Sequence, residues 1–131
     1  MKLLPFFLVI LLAACSEQKV DKVTRIAVEI TDEKDNYEEL ISITDSKRIQ
    51  LIEDQFKKIT WQPNVQVLMS RKEDVLVTFF NKYDENMPER LYEYRIWFNK
   101  SSAEIISKKE NESYGKLDEE DSKKLKELLA N

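Results

Sequence analysis

The sequence predicts an α+β domain, an antiparallel β-sheet packed with two helices, one central and one C-terminal. Two observations predict it. Apolar and polar residues alternate through several short stretches, most cleanly at Leu91–Asn99, which is the period of a strand with one buried side. Apolar residues at spacings of three and four, Ile49, Ile52, Phe56 and Ile59, and again Leu125, Leu128 and Leu129, mark the two helices.

The order of elements begins with an apolar leader. Lys2 supplies a positive start and Leu3–Leu12 is a ten-residue apolar run interrupted only by Pro5. A helix crossing a bilayer needs about 20 residues, so this run is too short to span and reads as a signal peptide. Leu12-Ala13-Ala14-Cys15 follows directly and resembles the lipobox of bacterial lipoproteins. Small residues before the cysteine fit a narrow peptidase site, and the sulfur of Cys15 is the nucleophile that takes the diacylglycerol. The expected organisation is therefore a lipoprotein signal peptide at 1–14, a lipidated Cys15 with a polar tether over 15–22, and a single domain over 23–131. The resemblance implies a bilayer partner held through diacylglyceryl Cys15, at the extracytoplasmic face of the cell membrane. Each buried methylene contributes about 0.8 kcal/mol, so two acyl chains anchor durably where one does not.

Within the domain, Ile26, Val28 and Ile30 share one face of a first strand, and Asp35-Asn36 is a plausible turn into a second at Leu40–Ile43. Asp45 is placed to cap the first helix, which Trp61 and Pro63 close, since the residue before proline resists helix. Val65, Val67 and Met69 suggest a strand with a turn at Arg71–Asp74. Val75–Phe80 is nearly continuously apolar, which suits a strand covered on both sides. Asn81–Arg90 is a polar loop. In the alternating strand, Tyr92, Tyr94, Ile96 and Phe98 face one way and Leu91, Glu93, Arg95 and Trp97 the other. A turn at Lys100–Ser102 leads into Ala103–Ser107, and a short strand is possible at Ser113–Lys116. Asp118 caps the last helix, whose acidic first turn and later lysines suit the helix dipole and the pairs Glu119–Lys123 and Glu120–Lys124.

Composition excludes several function classes. The 131 residues carry 21 Lys and Arg against 25 Asp and Glu, and removing the leader with its Lys2 takes the net charge from −4 to −5. Nucleic-acid binding needs clustered cations, so no nucleic-acid partner is expected. With no histidine, the commonest general base and metal ligand are missing. The single cysteine is committed to lipid, so the domain folds without a disulfide. No cofactor and no metal are expected. One glycine, Gly115, rules out glycine-rich phosphate loops and a Gly-x-Ser-x-Gly elbow.

The candidate binding face is Glu93, Arg95 and Trp97, three side chains on one side of the aromatic strand, with Arg95 as polar anchor and Trp97 as contact area. The competing structural reading makes this row a half-covered sheet face. Asp84-Glu85-Asn86 resembles the start of a calcium loop but lacks its later glycine and glutamate. The sequons at Asn99 and Asn111 are accidental matches in a bacterial lipoprotein.

The helix opening Asp45-Ser46-Lys47-Arg48-Ile49, the strand Tyr94-Arg95-Ile96-Trp97 and the run Tyr114-Gly115-Lys116-Leu117 together resemble the YhfM-like domains of small Gram-positive lipoproteins. That resemblance implies architecture and cell-surface location and transfers no site residues. The expected role is a non-enzymatic extracytoplasmic binding or interaction module, with an envelope protein as possible partner. The alternatives are a small hydrolase using two carboxylates, which needs a concave pocket holding both, and an accessory subunit of an envelope complex, which needs an exposed apolar patch.

Overall fold

A computed structural model describes residues 21–130, so Leu12, Ala13, Ala14 and Cys15 lie outside the described residues. The elements are β1 (Lys22–Thr31), β2 (Tyr37–Ile43), α1 (Ser46–Phe56), β3 (Thr60–Gln62), β4 (Val75–Lys82), β5 (Arg90–Phe98), β6 (Ala103–Ser107), β7 (Tyr114–Leu117) and α2 (Glu119–Leu129). The strands form one seven-stranded antiparallel sheet in the order β2-β1-β4-β5-β6-β7-β3. With a central and a C-terminal helix packed on it, the fold is α+β.

Both helices cover the same face. Ile49, Ile52 and Phe56 of α1 and Leu125 and Leu129 of α2 are buried against Ile26, Val28, Val77, Tyr94, Ile96 and Ile105 of the sheet. Register explains why these sheet residues meet. Ile26 pairs with Phe79, Val28 with Val77, Val77 with Tyr94, and Ile96 with Ile105, so the apolar rows line up on one side. The Phe56 ring seats between Phe79 and Tyr94 at centroid distances of 4.7 and 4.8 Å, fixing the helix over the sheet centre. Tyr92–Phe98 thus supplies the core row that alternation predicts.

The caps fall where expected. Asp45 accepts a hydrogen bond from the Arg48 amide at 2.9 Å, and Asp118 from the Asp121 amide at 2.8 Å. The pairs Glu119–Lys123 (3.5 Å) and Glu120–Lys124 (3.6 Å) form but are exposed, and such pairs contribute only about 0.3–0.5 kcal/mol. Arg48 adds a tie the sequence does not announce. Its guanidinium donates to the Leu128 carbonyl (3.0 and 2.8 Å) and to the Ala130 carbonyl, closing the negative end of α2 against the first turn of α1.

Five details differ from the sequence expectation. Helix α1 ends at Phe56, and Ile59 is buried from the turn that follows, its amide donating to the Phe56 carbonyl at 3.2 Å. Trp61 lies in β3, a three-residue edge strand too short to show a period, and Pro63 follows it where no ladder donor is needed. Residues 65–69 are irregular rather than a strand: they pair with no strand of the sheet and run as part of the passage from β3 to β4. Strand β2 starts at Tyr37, since its exposed polar first half is held by the β1 ladder rather than by burial. In β4, Val75, Val77 and Phe79 are buried while Leu76, Thr78 and Phe80 are only half-buried, so its second face is partly open.

Candidate binding face

Glu93, Arg95 and Trp97 do share a face, the one turned away from the helices. Across β4, Glu93 opposes Thr78 and Arg95 opposes Leu76; across β6, Arg95 opposes Ile106 and Trp97 opposes Glu104. Strand β5 is fourth of seven, so this row runs down the middle of the sheet.

What alternation cannot reveal is that the chain returns over this face. It leaves β3 at one edge and must reach β4, four places inward, and residues 63–74 make that passage. The end of the segment is clipped down. Asp74 takes both terminal nitrogens of Arg71 (2.6 and 3.0 Å), accepts from the Phe98 amide at 2.7 Å, and donates its own amide to the Ile96 carbonyl at 2.9 Å. Trp97 lies beneath. Its indole N–H donates to the Arg71 carbonyl at 2.9 Å and the residue is only 2% exposed. Trp97 therefore offers no contact surface, and the sequence-based candidate face reduces to Glu93 and Arg95.

Arg95 is built into a network that sequence reasoning missed. Its side chain is 53% exposed, yet its Nε stands 3.4 Å from Oε2 of Glu73, which is 1% exposed. The other Glu73 oxygen accepts the Tyr37 hydroxyl at 2.6 Å. Burial and the Glu73 carboxylate push Tyr37 up to about 12, so its phenol remains a donor through the neutral range. Lys72 sits 3.9 Å over the Tyr37 ring and donates to the Asp35 carbonyl at 2.8 Å, holding the β1–β2 turn against the segment. A buried carboxylate without partners costs several kcal/mol, so Glu73 depends on both donors. Arg95 in turn is held by its Nε, and its terminal nitrogens make no hydrogen bond among the described residues. Nothing in Arg71-Lys72-Glu73-Asp74 distinguishes the buried glutamate from its solvated neighbours.

Glu93 is exposed and lines a depression of about 390 Å³ between β5 and the loop after β6, together with Leu91, Tyr92, Lys108, Lys109 and Glu110. The Tyr92 and Tyr83 hydroxyls share a hydrogen bond at 2.7 Å, and that bond with burial pushes Tyr83 up to about 12. A second cleft of about 310 Å³ opens beside the end of α2, walled by Val28, Val75, Phe98 and Leu129. Asp84 accepts from the Asn86 amide at 3.0 Å, which makes Asp84-Glu85-Asn86 a self-capped turn. Among the described residues, no group of three or more acidic, histidine or cysteine side chains converges to hold a metal ion.

No protein-family model matches the chain, and neither the curated proteins nor the solved structures yield a match.

Proposed function

We propose that this chain is a lipid-anchored binding or interaction module at the extracytoplasmic face of the cell membrane, contacting an envelope partner through the sheet face around Arg95. The observation that carries it is the Arg95–Glu73–Tyr37 arrangement. A fully buried carboxylate is an expensive way to stabilise a sheet, and here it holds a half-exposed guanidinium whose terminal nitrogens make no hydrogen bond among the described residues. A guanidinium so held recognises planar acceptors, so the partner group it fits is a carboxylate or phosphate. The apolar leader followed by Leu12-Ala13-Ala14-Cys15 supports the location. The hydrolase alternative gains less support, because Glu93 and Glu110, the two carboxylates that share a depression, are both exposed, whereas a carboxyl acting as general acid at neutral pH needs an apolar setting.

Two outcomes are expected. Metabolic labelling with a palmitate analogue marks the wild-type protein, and Cys15→Ser abolishes the label and releases the chain from the membrane fraction. Label retained in that variant sinks the anchor. Proximity cross-linking in intact cells captures a partner with the wild type and loses it in the double variant Glu73→Gln/Arg95→Gln, which removes both charges and so leaves neither unpaired. Equal capture by a folded double variant rules out this face.

A further inference from the structure

We infer that the end of the sheet carrying Tyr83, Met87, Leu91 and Tyr92 rests in the interfacial region of the bilayer, so that the domain stands on the membrane with its β1–β2 turn pointing away. This deepens the proposed function and rests on the lipid anchor at Cys15.

The length of chain before β1 sets the geometry. Seven steps separate Cys15 from Lys22, a reach of at most about 25 Å. Lys22 pairs with Lys82, and the 83–89 loop starts one residue later, so that loop shares the end of the sheet from which the tether leaves. Asn81 donates to Asp21 at 2.8 Å and Thr24 to Glu89 at 2.8 Å, fixing the tether exit and the loop to each other.

The chemistry of this end suits an interface rather than open water. Met87 and Leu91, 56% and 55% exposed, put two large apolar side chains at this end, while the more exposed Leu40 and Leu68 lie on the edge strand β2 and in the 63–74 passage. The guanidinium of Arg90 lies 4.4 Å over the Tyr83 ring, and the ammonium of Lys109 lies 4.0 Å over the Tyr92 ring. Tyrosines at headgroup depth with long cations beside them are the usual composition of a membrane-facing rim. Over 82–91 and 108–110 the cations Lys82, Arg90, Lys108 and Lys109 meet the anions Asp84, Glu85, Glu89 and Glu110, so the contact draws on apolar and aromatic groups and needs no anionic lipid. The far end carries the Asp32–Asn36 turn, roughly 30 Å away along the ten residues of β1.

The test uses the lipidated chain, where Cys15 is blocked, so one introduced cysteine takes a fluorophore uniquely. Met87→Cys and Lys34→Cys forms are placed in phosphatidylcholine vesicles containing a headgroup-level nitroxide lipid. Quenching several-fold stronger at position 87 than at 34 is expected, persisting in high salt. Equal quenching at both positions, in protein that floats with the vesicles, overturns the orientation while leaving the anchor intact. Protein that fails to float overturns the anchor and the orientation with it.

Discussion

Trp97→Ala is expected to lower the stability of the domain by about 3–5 kcal/mol, the range for deleting a buried aromatic. Trp97 is 2% exposed between the sheet and the returning segment, and its indole N–H satisfies the Arg71 carbonyl. Truncation opens a cavity and leaves that carbonyl without its donor. For a domain of this size the midpoint of thermal unfolding falls by roughly 12–20 °C. Trp97→Phe keeps most of the packing and loses the hydrogen bond, so a smaller loss of about 1–3 kcal/mol is expected. Chemical denaturation of the three proteins checks the order. Were Trp97 an exposed contact residue, alanine would change stability by no more than about 0.5 kcal/mol. That outcome would remove the buried placement described here.

Gly115→Val is the second large effect, with an expected loss of about 2–3 kcal/mol. Gly115 sits in β7 opposite Trp61 of β3. An added Cβ would collide with Ile59 Cγ2 and stand 2.7 Å from Trp61 Cε3, a separation at which something must move. Backbone freedom is not the reason for the glycine, because its φ is not positive. At such a position alanine would ordinarily gain about 0.4–1 kcal/mol by stiffening the unfolded chain. Overpacking costs about 1–3 kcal/mol for extra methylenes and outweighs that gain. Ile59 is buried and cannot swing aside, so the edge strand gives way. Gly115→Ala should show a smaller loss and Gly115→Val a larger one. Hydrogen exchange at Thr60–Gln62 should quicken before the rest of the sheet. Unchanged protection of those amides in a Gly115→Val protein would refute the argument.

Elements that bury one face were legible because burial leaves a period. The β5 row, the caps Asp45 and Asp118, and the stripe of α2 all follow from local sequence. Strand β3 and the first half of β2 were not legible, since pairing with a distant ladder leaves no mark in an exposed stretch. The misread strand at Val65–Met69 shows the converse, an alternation without a partner. The site was half legible. Alternation puts Glu93, Arg95 and Trp97 on one face, but whether that face is open depends on where residues 63–74 travel. Glu73 was invisible for a related reason: one charged residue in a run of four is buried only because Tyr37 and Arg95 converge on it from other strands.

The strand order also governs the sequence in which the chain can assemble. Strands β4 to β7 form a meander whose neighbours are consecutive, so each pairing closes a short loop. Both flanking attachments are long-range: Ile26 finds Phe79 across 53 positions and Trp61 finds Gly115 across 54. Non-local closure is slow, so the meander's short-range pairings are expected to form ahead of either flank. A chain synthesised amino end first thus delivers β1 long before β4. Its N-terminal hairpin and α1 wait with one edge of β1 unpaired until β4, Val75–Lys82, arrives.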